Sequence, residues 1–266
     1  MQRELKFAQE AAENAGNKIM TFYQNDYEIQ QKGYHNPVTE ADYAANTAII
    51  SILSKEFPDD GILSEETIDS NERLHKSRVW IIDPLDGTKE FIEGIPNFVV
   101  SIALTVNKLP VLGVLYNPVT HEMFAGVKGQ GATLNGNPIR CSNEDDLNNA
   151  KIVVSRSEQQ RGLWNGMGDW FGEKSHVGSV AYKLGLTAVG KYDCFVTLRP
   201  KNEWDVCAGD IILRESGGQL VNLDDCTFRE YNLKKTLITP GLIGGNNIMV
   251  QKFHEKWLNQ IKGMVS

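Results

Sequence analysis

Cysteine is scarce in this chain of 266 residues, which contains only four of them. No two cysteines have the C-x-x-C spacing that is typical of zinc sites, and four are too few for the dense disulfide framework of small secreted domains. The five histidines have no metal-ligand spacing either. We therefore expect free thiols, a cytoplasmic location, and histidines that are ordinary surface or core residues.

Long apolar runs are also missing. No segment approaches the roughly 20 apolar residues of a transmembrane helix, and the first residues, MQRELKFAQEAAENAG, lack the continuous apolar stretch of a secretory signal. The net charge is −7, which argues against a broad surface for binding a nucleic-acid polymer. An anionic ligand would then need a local device, such as a metal ion or a helix N-terminus.

The first half of the chain predicts two helices followed by a run of strands. Apolar residues at steps of three and four predict a helix over 5–22, and Thr39 is a good N-cap for a second helix that ends before 58–61. Strands are predicted at 78–83, 97–107, 109–119 and 122–136, and their short turns favour antiparallel pairing. We expect residues 1–148 to form an α+β half.

From about residue 150 onward, predicted helices alternate with predicted strands. The strands lie at 151–157, 192–198, 219–223 and 248–251, and the helices lie at 179–190, 205–218 and 252–261. This alternation is typical of α/β structure. We expect residues 149–266 to form an α/β half that completes a site begun by the first half.

The stretch VWIIDPLDGTKEF, residues 79–91, carries the strongest functional signal. Asp83 and Asp86 follow a buried strand, and Gly87 allows either a positive φ or the close approach of a ligand. A helix beginning at Thr88 would offer N–H groups to a phosphate. Two adjacent carboxylates repel each other unless a cation lies between them, and Mg²⁺ prefers such oxygen ligands. The alternative is an exposed turn that binds nothing.

Four separate blocks resemble the inositol monophosphatase superfamily of magnesium-dependent phosphatases. They are NPVTEAD, GILSEE, DPLDGTKEF and EWDVCAGDIILRESGG, which begin at residues 36, 61, 83 and 203 and stand in the family's order. The resemblance covers nearly the whole chain. It implies a five-layer αβαβα sandwich with the site between its two halves, and two or three Mg²⁺ ions as cofactors. It also implies a small phosphate substrate and a monomer or homodimer.

The same resemblance implies a set of metal ligands. Glu65, Asp83 and the backbone carbonyl of Leu85 would hold a first Mg²⁺. Asp83, Asp86 and Asp205 would hold a second. Asp205 also has an alternative role as the cap of the helix that it opens.

Catalytic roles follow from the resemblance in the same way. Glu65 and Asp42 would help to hold a third Mg²⁺, and Thr88 together with Glu65 would orient the attacking water. The N–H groups of Gly87 and Thr88 would bind the phosphate. Asp42 has a structural alternative, because it stands three residues after Thr39 in a helix-capping pattern. Glu66 could replace Glu65, although the family pattern favours Glu65.

Three segments are similar to the 3′(2′),5′-bisphosphate nucleotidases of the CysQ type. They are TKEF, SRSE and GSVAYKLGLTAVGKYD, which begin at residues 88, 155 and 178. This similarity implies hydrolysis of the 3′-phosphate of 3′-phosphoadenosine 5′-phosphate (PAP), or of its sulfated form, in sulfur metabolism. It is also compatible with peripheral association with the inner membrane. The substrate contacts that it implies are Asp86, Gly87, Thr88, Gly178, Ser179, Lys183, Arg199 and Asp205.

Two other functions remain open at the level of the sequence. One is hydrolysis of inositol 1-phosphate or of another sugar phosphate within the same superfamily. The other is a non-catalytic, anion-binding regulatory protein. The segment TLRPKN, which begins at residue 197, departs from the CysQ pattern, so Arg199 and Lys201 could bind a second phosphate or could simply be solvated loop charges.

Overall fold

Helices and sheets alternate in five layers through the computed structural model, which describes residues 1–33, 36–239 and 241–265. The outer layer of the first half consists of α1 (Gln2–Phe22) and α2 (Glu40–Glu56). A hairpin of β1 (Ile29–Gly33) and β2 (Asn36–Thr39) connects the two helices. The order αβαβα agrees with the fold that the family resemblance implies.

The second layer is a seven-stranded sheet in which the strands stand in chain order. Its strands are β3 (Gly61–Ser64), β4 (Arg78–Asp86), β5 (Val99–Val106), β6 (Leu109–Asn117), β7 (Glu122–Val127), β8 (Gly131–Leu134) and β9 (Asn137–Ile139). β3 and β4 pair in parallel, and all later neighbours pair antiparallel. The antiparallel pairing of the middle strands is therefore confirmed.

The fourth layer is a five-stranded mixed sheet with the order β11-β10-β12-β16-β14. Its strands are β10 (Lys151–Ser155), β11 (Glu173–Val177), β12 (Cys194–Thr197), β14 (Gln219–Asn222) and β16 (Leu242–Gly245). β10 is parallel to β11 and β12, whereas β16 is antiparallel to β12 and β14. A short pair, β13 (Lys201–Asn202) and β15 (Leu237–Ile238), stands apart from this sheet.

The remaining helices fill the middle layer and the far side. α5 (Val180–Ala188) and α6 (Glu203–Glu215) lie between the two sheets, and α4 (Arg156–Gln160) and α7 (Asn247–Val265) belong to the second half. α3 (Thr88–Ile92) directly follows β4. In the described part of the chain, no helix is both long enough and apolar enough to cross a membrane. All four cysteines are free thiols.

Small residues let α6 lie very close to the large sheet. A Cβ at Gly113 in β6 would lie 2.5 Å from the carbonyl oxygen of Ala208, and a Cβ at Gly126 in β7 would lie 2.8 Å from the Cα of Ile212. Real side chains do not tolerate such distances, so glycine is required for this packing. The N-terminal end of α6 is fixed as well, because Ser101 Oγ in β5 donates to the carbonyl of Trp204 at 3.2 Å.

One predicted element of the second half is wrong, and another is too long. The segment 248–251, predicted as a strand, is the first turn of α7, because Asn246 Oδ1 accepts a hydrogen bond from the N–H of Met249 at 2.9 Å and starts the helix. The last strand along the chain is instead β16, which lies between β12 and β14 in the sheet. The strand predicted over 151–157 ends at Ser155, where α4 begins.

Candidate active site

Two helices of the protein begin with the same arrangement, and each carries an aspartate at its third position. At the start of α2, the N–H and the hydroxyl of Thr39 donate to Asp42 Oδ2 at 2.8 and 2.6 Å. At the start of α6, the N–H of Asn202 donates to Asp205 Oδ2 at 2.8 Å. Both are capping boxes, which satisfy otherwise unpaired groups at the first turn of a helix. The capping roles of Asp42 and Asp205 are therefore real, and in each aspartate the cap uses Oδ2, so that Oδ1 takes no part in it.

Asp83 and Asp86 are not part of an exposed turn. β4 continues through both residues with an irregularity in its pairing to β5, and the two side chains are only 2% and 9% exposed. Gly87 ends the strand with φ 104° and ψ 33°, and a Cβ there would lie 2.9 Å from the carbonyl oxygen of Asn97. A left-handed glycine in so tight a place turns the chain directly into α3 at Thr88.

Three carboxylates from different elements meet at the end of β4. Glu65 follows β3, Asp83 lies in β4 and Asp205 lies in α6, and one carboxylate oxygen of each lies within 4.8 Å of the other two. Burial, and then the charges of Glu65, Asp86 and Asp205, raise the pKa of Asp83 well above its ordinary value. Burial, and then the charges of Asp86 and Glu65, raise the pKa of Asp205 to about 8.

This set of donors fits a divalent cation that prefers oxygen. Burial, and then mutual repulsion, make these carboxylates resist ionisation unless a cation is present, as the raised pKa values of Asp83 and Asp205 indicate. Mg²⁺ takes carboxylate and carbonyl oxygens as ligands. The cluster could therefore hold Mg²⁺ through Glu65, Asp83 and Asp205, with the nearby carbonyl of Leu85 and the carboxylate of Asp86 as further ligands.

Asp86 is held from the second half of the chain. Its Oδ2 accepts hydrogen bonds from Ser179 Oγ and from the N–H of Ala181, both at 2.6 Å. Burial raises the pKa of Asp86, and the hydrogen bond from Ser179 is the first effect that opposes this rise. The contacts of Asp86 therefore join β4 to the beginning of α5.

Thr88 connects the metal-binding end of β4 to α2. Its hydroxyl lies 3.1 Å from Asp42 Oδ1 and 3.1 Å from the carbonyl oxygen of Leu85, so its single proton is shared between these two acceptors. Asp42 is 2% exposed and reaches the site through this contact. Among the described residues, Thr88 and Glu65 line the cleft, whereas Asp42 does not. Glu66, the alternative to Glu65, does not line it either.

A cleft of about 410 Å³ opens in front of the carboxylates, between the two halves. Its walls include four cationic side chains, of which Lys89 and Arg199 are exposed, Lys201 is partly buried and Lys183 is buried. The Nζ of Lys201 lies 3.7 Å from the Glu158 carboxylate. The lining also contains Gly178, Ser179 and Lys183, so the structure brings every predicted substrate residue to one cleft.

Lys183 is an unusual member of this wall because it is only 1% exposed. Its ammonium group donates to the carbonyl oxygens of Val177 and Ser179 at 3.1 and 2.6 Å. Burial lowers the pKa of Lys183 to about 8, although the charge of Asp86 opposes this shift. The hydrogen bonds to backbone carbonyls explain how an ammonium group can remain in so enclosed a position.

Sequence reasoning missed an ion pair between the halves. Arg156 Nη1 donates to Glu90 Oε1 at 2.9 Å, and its Nη2 donates to Glu93 Oε2 at 2.7 Å. Glu90 lies in TKEF and Arg156 lies in SRSE, two segments that indicate the substrate class, yet nothing in either one alone indicates that they touch. Glu90 also lines the cleft.

Other residues from the sequence analysis have structural roles or lie outside the described residues. Trp204, which precedes Asp205, is partly buried and packs against the hydrophobic core between the sheets. His75, His121 and His176 are exposed and His254 is partly buried, whereas His35 lies outside the described residues. These positions agree with the expectation that the histidines are surface or core residues.

The chain is similar to known phosphatases over most of its length. The model of the inositol monophosphatase family matches residues 1–263. Inositol monophosphatase 3 of Solanum lycopersicum is 37% identical over 227 residues, which are 80% of this chain and 84% of that protein. The structure of the Thermotoga maritima IMPase has a TM-score of 0.86 and 29% identity, with 100% of both chains covered. CysQ from Bacteroides thetaiotaomicron has a TM-score of 0.76 and 31% identity, with 92% of this chain and 98% of that chain covered.

Proposed function

Since the chain belongs to the inositol monophosphatase family, we propose that it is a Mg²⁺-dependent phosphomonoesterase whose substrate is PAP. In the proposed reaction, the oxygen of a water molecule attacks the phosphorus of the 3′-phosphate, and the bond between phosphorus and the 3′ oxygen breaks. The 3′ oxygen takes up a proton, and AMP and inorganic phosphate are released. No covalent bond to the protein is formed.

The carboxylates described above are proposed to bind Mg²⁺, with Glu65, Asp83 and the Leu85 carbonyl on one side and Asp83, Asp86 and Asp205 on the other. Bound Mg²⁺ lowers the pKa of water and neutralises the charge of phosphate oxygens. This arrangement accounts for the burial of so many carboxylates in one place. It also accounts for the binding of an anion by a chain with a net charge of −7.

Thr88 is proposed to orient the water together with Glu65. Because the Thr88 hydroxyl donates its hydrogen to Asp42 or to the Leu85 carbonyl, its lone pairs remain available to accept a hydrogen bond from the water. The N–H groups of Gly87 and Thr88 are proposed to donate to the phosphate oxygens. The role of Asp42 is then to fix the hydroxyl of Thr88.

The choice of PAP rests on the cationic side of the cleft. Lys89 and Arg199 are exposed and line the same cavity as the carboxylates, whereas Lys201 already lies 3.7 Å from the Glu158 carboxylate. A substrate with one phosphate would not engage both exposed cations and the metal-binding carboxylates. PAP carries a second phosphate, which Arg199 can bind in a bidentate manner. The similarity to CysQ from Bacteroides thetaiotaomicron supports the same choice.

Inositol 1-phosphate is the second candidate substrate. It is favoured by the names of two similar proteins, inositol monophosphatase 3 of Solanum lycopersicum and the IMPase of Thermotoga maritima. A non-catalytic, anion-binding protein is disfavoured by the cluster of Glu65, Asp83 and Asp205, which a simple anion-binding site would not contain.

Phosphate release in the presence of Mg²⁺ separates these possibilities. We expect PAP to be hydrolysed with a higher kcat/KM than inositol 1-phosphate or fructose 1,6-bisphosphate. A higher kcat/KM for either of the other two substrates would overturn the choice of PAP. The absence of turnover of all three at saturating Mg²⁺ would overturn the assignment of phosphatase activity. Asp83→Asn should abolish turnover and leave the far-ultraviolet circular dichroism unchanged.

The contribution of the second phosphate can be measured separately. Arg199→Ala should raise the KM for PAP about tenfold or more, since it removes a charge-assisted hydrogen bond, and it should change the KM for inositol 1-phosphate much less. Lys128→Ala is the matched control, because it removes an exposed cation between β7 and β8 that does not line the cleft. An equal effect of Arg199→Ala on both substrates would show that Arg199 does not recognise a second phosphate.

A further inference from the structure

The carboxylate of Asp86 is oriented by a segment that is 93 and 95 residues away in the sequence. The Ser179 hydroxyl and the Ala181 N–H both donate to Oδ2 at 2.6 Å. These short bonds to a charged acceptor are of the stronger kind. Because both bonds fall on Oδ2, the carboxylate can turn Oδ1 toward the cleft that Asp86 lines.

The backbone that places the Ser179 hydroxyl is itself under strain. Ser179 has φ 56° and ψ 127°, a conformation that residues other than glycine rarely adopt and that is kept only when the surroundings enforce it. The same hydroxyl accepts a hydrogen bond from the N–H of Tyr182 at 3.0 Å and so caps α5. The strained Ser179 therefore both caps α5 and donates a hydrogen bond to Asp86.

The enforcing group is the buried ammonium of Lys183. It donates to the carbonyl of Val177 before the distortion and to the carbonyl of Ser179 at the distortion itself. Gly178, which lies between them, packs against the carboxylate of Glu90 so closely that a Cβ would lie 2.1 Å from its Cδ. Both Lys183 and Glu90 therefore contact the turn from β11 into α5.

We propose that Ser179 and Lys183 are positioning residues for Asp86, so that the start of α5 sets the orientation in which this carboxylate binds Mg²⁺. Lys183 fixes the turn at residues 177–179, and the Ser179 hydroxyl fixes the carboxylate. This inference rests on the proposed role of Asp86 as a metal ligand. It differs from the substrate contacts that the sequence resemblance implies for Ser179 and Lys183, because here they act on the protein's own carboxylate.

Titration calorimetry of the full chain with Mg²⁺, without any substrate, tests the proposal. Ser179→Ala removes one donor to Asp86, and Lys183→Met keeps the length of the side chain but removes its donors. We expect both variants to bind Mg²⁺ about 10–100-fold more weakly than the wild type, as is usual when the partner of a metal ligand is lost. Ser157→Ala is the matched control: Ser157 lines the same cleft, but its hydroxyl pairs with Ser155. It should leave Mg²⁺ affinity unchanged.

The KM for PAP, measured at saturating Mg²⁺, can contradict the proposal. If Mg²⁺ affinity is unchanged in Ser179→Ala while the KM for PAP rises, the residue contacts substrate and the proposal is overturned. If the wild type itself binds no Mg²⁺, the proposed function fails, which is a different outcome. If Lys183→Met does not fold, the Mg²⁺ affinity of Ser179→Ala tests the proposal by itself. This variant removes only one oxygen atom, and we expect it to fold.

Discussion

At the scale of the residue, Gly178 is a point of very close contact between the two halves. A Cβ at this position would lie 2.1 Å from Cδ and 2.4 Å from Oε1 of Glu90. The Glu90 side chain cannot easily withdraw, because Arg156 donates to the same carboxylate at 2.9 Å. Glycine is therefore required here by space, since the backbone of Gly178 is not in the left-handed region.

A double-mutant cycle would test this explanation. We expect Gly178→Ala to lower the free energy of unfolding by about 1–3 kcal/mol, as is usual for overpacking. In a Glu90→Ala background, where the obstructing carboxylate is gone, the same change should cost less than about 1 kcal/mol. Urea denaturation monitored by circular dichroism measures both values.

The control for this cycle is Gly168→Ala. A Cβ at Gly168 would meet nothing within 4 Å, and its φ is not positive. Its substitution should therefore change stability by no more than about 0.5 kcal/mol. An equal cost of Gly178→Ala in both backgrounds would show that Glu90 is not the obstacle.

The acidic residues of the site could be predicted from the sequence, whereas their supports could not. Asp83, Asp86 and Gly87 stand together in one short stretch, and their chemistry is visible from residue type and spacing. The ion pair of Glu90 with Arg156 joins residues 66 apart. The hold of Ser179 on Asp86 is equally nonlocal, and no local pattern encodes such contacts.

At the scale of the element, α2 and α6 present their aspartates by the same device. In each helix, the third residue is an aspartate whose Oδ2 accepts the N–H of the N-cap residue. This bond fixes the direction of the carboxylate before any ligand arrives. Helix capping and site construction are therefore one arrangement in this protein, and the two readings considered for Asp42 and Asp205 do not exclude each other.

Substitution of Thr39, the N-cap of α2, tests whether the cap affects both stability and catalysis. Thr39→Ala removes the hydroxyl that donates to Asp42 at 2.6 Å, and we expect a loss of about 1 kcal/mol in the free energy of unfolding. Thr39→Ser keeps the hydroxyl and should lie near the wild type. Because Asp42 also accepts from Thr88, Thr39→Ala should lower kcat as well, which phosphate release would measure. If Thr39→Ala and Thr39→Ser were equally stable and equally active, this view of the cap would be wrong.

Elements were predicted best where the apolar pattern is long and worst where it is short. The helix predicted over 5–22 and the N-cap at Thr39 agree with α1 and α2. The four-residue apolar run at 248–251 could belong to a strand or to a helix on pattern alone, and the cap at Asn246 decided for α7. Two-residue strands such as β13 leave no pattern at all.

At the scale of the whole molecule, the site brings together carboxylates from both halves. Glu65 and Asp83 come from the large sheet, whereas Asp205 comes from α6 and is carried there by close packing against β6. Periodicity predicted α+β followed by α/β structure, but the order of the layers followed only from the family resemblance. The mutual repulsion of the carboxylates opposes this assembly in the absence of a cation.

Burial of the carboxylates, together with this repulsion, makes the stability of the metal-free protein depend on pH. The pKa of Asp205 is raised from 3.8 to about 8, so between these values the folded protein keeps a proton that the unfolded chain has lost. The free energy of unfolding must then fall as the pH rises from about 4 to about 8. Asp83 acts in the same direction, because its pKa is also raised.

Mg²⁺ should reverse this loss because it takes the place of the proton. Its binding requires deprotonated carboxylates and is therefore tighter at high pH. We expect the rise in Tm on replacing EDTA with saturating Mg²⁺ to be several degrees larger at pH 8.5 than at pH 6, since ligand binding to the folded state stabilises it. Differential scanning calorimetry measures this difference. Asp205→Asn removes a titrating group and should reduce both the Mg²⁺ effect and its dependence on pH, whereas a rise in Tm of the wild type that is equal at both pH values would contradict the assembly of these carboxylates around a cation.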